Sequence, residues 1–260
     1  MTASAPRLVQ SAQNALVQRV RKLAADASGY RRLGQCWLEG EHLATAAGQR
    51  GQRAAVAVLA QSACLRADLV HLAQQAEDSI CIPDALWASL SSVPAAQGIG
   101  WLCALPASPG IDPALATVVL DRLQDAGNVG SILRSAAALG VAQVVAIRGT
   151  AALWSPKVLR AGMGAHGALR LVEGVEPEAV MALPWTLVST SSHGGQPLPV
   201  AALPVPCAWV FGNEGQGVSE ALMARCALRV CIPQPGGEES LNAAAAAAIC
   251  LYEASRRLHG

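Results

Sequence analysis

Five short apolar runs in the second half of this 260-residue chain constrain its fold more than any other feature. They are Thr117–Leu120, Val141–Ile147, Thr186–Ser189, Ala208–Phe211 and Leu228–Ile232. Each is short and rich in Val, Leu and Ile, with Gln143 and Arg229 the polar residues inside them. Runs of this kind, without polar alternation, are expected of strands covered on both faces. Helix starts are expected near Asn128, Pro156, Val218 and Leu241. The pattern predicts an α/β fold, a mostly parallel sheet with crossover helices on both faces. Ligand sites in such sheets lie beyond the carboxyl ends of the strands.

The first half alternates in the same way on a smaller scale. Strands are expected at Gln35–Glu39, Ala55–Leu59, Ser79–Ile82 and Ile99–Leu105. Helices are expected at Glu41–Ala47, Leu65–Gln75 and Asp84–Leu90, after a basic first helix carrying Leu8, Leu16, Val20 and Leu23. This reads as a small N-terminal α/β domain. The Pro- and Gly-punctuated stretch Pro106–Pro113 is the expected linker, giving domains 1–107 and 114–260.

Charge excludes several functions. Lys and Arg number 19 and Asp and Glu 18, and only 14% of residues are charged against 52% hydrophobic. A disordered chain has the opposite balance. Bulk charge cannot hold nucleic acid here, so any such site is a local patch. That patch is expected near the start, because residues 1–53 carry eight basic and three acidic side chains. The two uncharged stretches, Ala85–Ile111 and Ala179–Asn213, are broken by Pro, Gly and Ser, so no membrane span is expected. No secretory core segment is visible. The acid-free first 25 residues admit two readings, a transit segment or an amphipathic helix. Eight cysteines without a C-x-x-C pair read as reduced core residues of a cytoplasmic protein, and the five histidines do not cluster as metal ligands.

Three segments carry candidate chemistry. In Leu120–Ala136, a strand end and a Gly-containing turn lead to Asn128, placed to cap a helix whose N–H groups favour an anion. Arg134 follows about 9 Å along that helix, and its side chain leans back toward the capped end. The plain alternative is an ordinary cap with a solvated arginine. In Trp209–Ser219, Gly212, Gly215 and Gly217 let a ligand approach the backbone, beside Glu214 at a strand end. Glu214 can equally be a solvated turn residue. In Val230–Ala244, a strand runs into a Pro/Gly loop and then Ser240, Leu241 and Asn242 at the mouth of an Ala-rich helix. Backbone groups of that loop are free to bond a ligand, while Ser240 can also be only the cap.

Together, and in this order, the segments resemble the three motifs of the SpoU (TrmH-like) RNA ribose 2′-O-methyltransferases of the SPOUT class. Asn128, Gly130 and Arg134 match an N-x-G-x-x-x-R helix start. Gly212, Glu214, Gly215 and Gly217 match a G-x-E-G-x-G element, and Ile232, Pro233, Ser240, Leu241 and Asn242 match an I-P…S-L-N element. The resemblance spans about residues 115–257. Arg31–Glu41 more weakly resembles the opening of the substrate-binding domain of many members. Gly162 and Gln234 depart from the pattern, standing where members usually carry Ser and often Met.

The resemblance implies a C-terminal trefoil knot, bound S-adenosyl-L-methionine, an RNA substrate and a homodimer; the RNA is ribosomal or transfer, and the amino-terminal substrate domain favours ribosomal. It implies that backbone groups of Gly212, Ile232 and Leu241 hold the cofactor. Arg134 would activate the ribose hydroxyl, with Asn128, Glu214, Ser240 and Asn242 shaping the site. No metal is expected, since the histidines do not cluster at ligand spacing. His166 and His193, in Gly-rich loops, are candidates for RNA contact or plain solvation. A non-catalytic RNA-binding or ribosome-assembly factor that kept the knot is the alternative, against which the joint presence of these polar residues speaks. Another nucleotide-binding enzyme is disfavoured by the lack of G-x-G-x-x-G and P-loop patterns.

Overall fold

The computed structural model describes residues 5–91, 98–192, 194–236 and 240–259. Two compact units divide the chain. One comprises Met1–Ala107 with Trp154–Gly167, the other Ser108–Leu153 with Ala168–Gly260. The segment 154–167, expected inside the second domain, packs with the first unit.

The first unit runs β1 (Arg7–Leu8), α1 (Ala15–Ala25), α2 (Gly29–Leu33), β2 (Gln35–Glu39), α3 (Glu41–Gln49), β3 (Val56–Ala60), α4 (Ala67–Ala73), β4 (Asp78–Ile82), α5 (Asp84–Ala88) and β5 (Ile99–Ala104). Its sheet has the order β1-β4-β3-β5-β2, with β5 antiparallel to both neighbours. The expected first helix begins late. Asn14 accepts a hydrogen bond from the Leu16 amide and caps α1, which buries Val17, Val20 and Leu23. Leu8 instead lies in the short strand β1, in register with Cys81, and it stays half-exposed.

The second unit holds β6 (Thr117–Asp121), α6 (Ala126–Ala138), β7 (Gln143–Ile147), β8 (Arg170–Val175), α8 (Pro177–Met181), β9 (Leu187–Thr190), β10 (Gln196–Pro197), β11 (Ala208–Gly212), α9 (Glu220–Arg225), β12 (Leu228–Cys231) and α10 (Ala243–His259). Between β7 and β8 the chain makes α7 (Pro156–Gly162), part of the first unit. Strand order is β10-β12-β9-β11-β6-β7-β8, and every pairing is parallel. Parallel neighbours place all carboxyl ends on one edge. Gly212 thus sits in register with Asp121. Val119, Val145, Leu187, Val210 and Leu222 form the core on which these strands rest.

The five expected apolar runs are all strands. β8 and β10, absent from the expectation, lie at the two sheet edges, where one-sided cover relaxes the apolar pattern. In β8, Gly174 falls where the register slips between Ala146 and Ile147, a bulge that breaks the run. β10 is two residues long and contains Pro197. All eight cysteines are unlinked, and Cys36, Cys81, Cys103 and Cys250 are buried. Among the described residues, no helix is long and apolar enough to cross a membrane.

Candidate active site

The carboxyl ends of β9, β11 and β12 open onto a cavity of about 540 Å³, a size usual for small-molecule sites. Asn128, Gly212, Glu214, Ile232, Ser240, Leu241 and Asn242 all line it. These are seven of the eight residues singled out from sequence. Arg134 does not line it; its side chain is exposed on α6.

Local chemistry explains the division. Helix α6 starts two residues before the expected position. Asp125, not Asn128, is its cap: the Asp125 carboxylate accepts from the Asn128 amide at 2.7 Å. Asn128 therefore lies in the first turn with its side chain free for other partners. Its Nδ2 donates to Glu214 Oε1 at 3.1 Å, and its Oδ1 accepts from Asn242 Nδ2 at 2.9 Å. One asparagine thus ties together segments 86 and 114 residues away. Arg134 is six positions further, which turns it about 120° around the helix axis at 100° per residue. Leaning toward the N-terminus does not cancel that rotation.

Glu214 acts as a clamp on the first turn of α6. Its Oε2 accepts from the Gln124 amide and its Oε1 from the Asp125 amide, each at 3.1 Å. Partial burial alone would raise its carboxyl pKa. The hydrogen bonds from Gln124, Asn128 and Asp125 outweigh that and hold it below the ordinary 4.5. At neutral pH it is an ionised acceptor whose oxygens are engaged, which suits positioning rather than proton transfer.

The glycine loop has its own logic. Asn213 and Gly217 exchange both backbone hydrogen bonds, at 3.0 and 2.8 Å. This folds the loop back over Gly212, where an added Cβ would sit 2.1 Å from the Gly217 carbonyl carbon. Only glycine fits. The third segment ends at α10, whose cap is Asn242 rather than Ser240. Asn242 Oδ1 accepts from the Ala244 and Ala245 amides at 2.9 and 3.2 Å. Ser240 is exposed at the mouth.

Sequence reasoning missed several supporting groups. Asp121 is fully buried, accepts from the Ser219 amide at 2.6 Å and pairs with Arg122 Nε at 2.9 Å. Asn213 Oδ1 caps the turn by accepting from the Gly215 and Gln216 amides, and its Nδ2 donates to the Arg122 carbonyl. An Asn one residue after a strand's glycine is a turn signal that could have been read. Thr190, Ser191 and Ser192 also line the cavity; a hydroxyl run closing a strand was the available sign. His166 is buried and packs against Trp154 with ring centroids 5.1 Å apart, so it is neither solvated nor a surface contact. His193 falls outside the described residues.

The SpoU rRNA Methylase family model matches residues 116–252, more than half of the chain. The chain belongs to this family. It is 32% identical to an uncharacterized tRNA/rRNA methyltransferase of Synechocystis, over 96% of this chain and 93% of that one. It is 35% identical to the 23S rRNA guanosine 2′-O-methyltransferase RlmP of Bacillus subtilis, over 60% of this chain and 64% of that one. Among solved structures it resembles the SpoU methyltransferase AviRb of Streptomyces viridochromogenes in complex with AdoMet. That match has a TM-score of 0.83 and 27% identity, covering 95% of this chain and all of that one.

Proposed function

We propose that this protein is an S-adenosyl-L-methionine-dependent methyltransferase acting on a ribose 2′-hydroxyl of RNA, with ribosomal RNA as substrate. The observation that carries the proposal is the Asn242–Asn128–Glu214 chain of hydrogen bonds, which joins all three family motifs around one cavity. The cavity suits the cofactor. Phe211, Val218, Ile232 and Leu241 offer apolar walls, while hydroxyl, carboxamide and backbone groups offer polar contacts. Relatives acting on 23S rRNA support the choice of RNA. The intact polar set disfavours a non-catalytic assembly factor.

S-adenosyl-L-methionine, when bound, supplies a methyl group activated by its sulfonium. The chain's own residues bind and orient. Backbone groups at Gly212, Ile232 and Leu241 hold the cofactor, and the Asn128–Glu214–Asn242 tie keeps the loops at a fixed distance. Arg134 stabilises the charge that develops on the ribose oxygen, since a guanidinium stays cationic at all working pH values. Arg134 lies outside the cavity of its own chain, so this role requires a homodimer in which one copy's Arg134 serves the other's cavity. The outer face of α10 suits such a contact: Ile249 and Tyr252 are exposed hydrophobics on a helix that packs along α6. The trefoil knot implied by the family pattern belongs to the same reading. Residues 1–107, richest in positive charge at their start, serve as the RNA-binding domain.

The test is methyl transfer to ribosomal RNA from cells lacking the gene. Arg134→Ala is expected to lower the transfer rate about 100-fold or more, while the cofactor dissociation constant stays within about threefold. An equal loss of both would remove the catalytic role given to Arg134. Absence of transfer by the unmodified protein on any RNA would overturn the function itself.

A further inference from the structure

The loop after β12 carries a polar atom that the hydrogen bonds above leave unused. Gln234 lines the cavity, and its side-chain oxygen Oε1 is buried with no hydrogen-bond partner among the described residues. A buried amide oxygen without a donor is costly, and nearly all such groups in folded proteins are satisfied. Four apolar residues, Ile232, Leu241, Val218 and Ala246, line the same cavity. A neutral acceptor in a cavity that also has apolar walls matches a flat, neutral ligand portion that brings an N–H donor. This oxygen can only accept, so it does not match a phosphate, which brings no donor at neutral pH.

We propose that Gln234 Oε1 accepts a hydrogen bond from the exocyclic 6-amino group of the cofactor's adenine. Gln234 is then the residue that distinguishes adenosyl ligands from other purine nucleosides at this site. The inference rests on the cofactor reading above. It adds a base-recognition element on a side chain, beside the backbone contacts already assigned.

The experiment is calorimetric binding of S-adenosylhomocysteine and of its analogue in which hydrogen replaces the 6-amino group. The proteins are wild type, Gln234→Met and Gln234→Glu, each checked for unchanged thermal unfolding. Methionine keeps an unbranched side chain of similar length but removes the acceptor. Wild type is expected to prefer the amino ligand by roughly five- to tenfold, the worth of one neutral hydrogen bond left unmade. Gln234→Met loses that preference by weakening only the amino ligand. Gln234→Glu, which keeps an acceptor oxygen, retains the preference. If wild type and Gln234→Met discriminate equally, Gln234 does not read the base. If wild type binds neither ligand, the cofactor reading itself fails and the inference falls with it.

Discussion

At the scale of single residues, the site is held by one shared asparagine and one saturated carboxylate. Glu214 faces three donors, and its depressed pKa is the mark of that arrangement. A carboxyl with a lowered folded pKa adds stability above its unfolded value. That stability disappears as pH falls through the lower folded value. Glu214→Gln is therefore expected to lower the melting temperature at pH 7 by a few degrees, about 1 kcal/mol after allowing for its exposure. The deficit should shrink as pH drops below about 4.5, because wild type then loses the same charge. Differential scanning calorimetry between pH 3 and 7 measures this; a deficit constant with pH would mean that charge has no part in it. Residue types in the three motifs were legible in sequence. The identity of the caps was not, since Asp125 and Asn128 are both good cap residues three positions apart. Only the packing of the strand end against the turn chooses between them.

At the scale of elements, α10 does more than close the chain. It packs along α6, and near its end Arg257 reaches a short 3-10 turn at Leu198–Val200. Its guanidinium donates to the Leu198, Pro199 and Ala201 carbonyls and pairs with Glu253. The carboxyl of Glu253, flanked by Arg256 and Arg257, is held down at about 2. No other side chain makes the planar fork that several carbonyls at once require. Arg257→Ala takes the guanidinium from those carbonyls, of which Ala201's keeps the Leu203 amide, and removes the aliphatic stem. We expect a loss of about 2–3 kcal/mol in urea unfolding, with Arg257→Lys recovering less than half. Equal stability of the alanine variant would show that water replaces the contacts at no cost. Elements with continuous apolar runs were readable from sequence within a residue or two. The edge strands β8 and β10 were not, because an edge needs little apolar surface and tolerates a bulge or a proline.

At the scale of the whole molecule, the decisive fact is that the three motifs share one cavity and Arg134 does not. A homodimer that exchanges Arg134 has a clear signature. Asn128→Ala damages the cavity of its own chain, and Arg134→Ala damages the cavity of its partner. Each variant alone should be inactive. Mixed under conditions that allow subunit exchange, they should regain up to about a quarter of wild-type activity, since a mixed dimer keeps one intact site. No recovery, with exchange verified by mass spectrometry, would place Arg134 and the cavity it serves in one chain.

The amino-acid sequence by itself determined which segments become buried strands, because burial on both faces demands short apolar runs rich in Val, Leu and Ile. It also determined the residue types at the cavity, glycine at 212 because a Cβ there has no room, and asparagine at 128 and 242 because each both donates and accepts. Tertiary structure alone decided which of those residues meet. Asn128 and Arg134 stand six positions apart on one helix, yet the rotation of that helix against the sheet turns the first into the cavity and the second away from it. That rotation is set by the packing of Val129, Ile132, Leu133 and Ala136, a property of the assembled core rather than of any local stretch of chain.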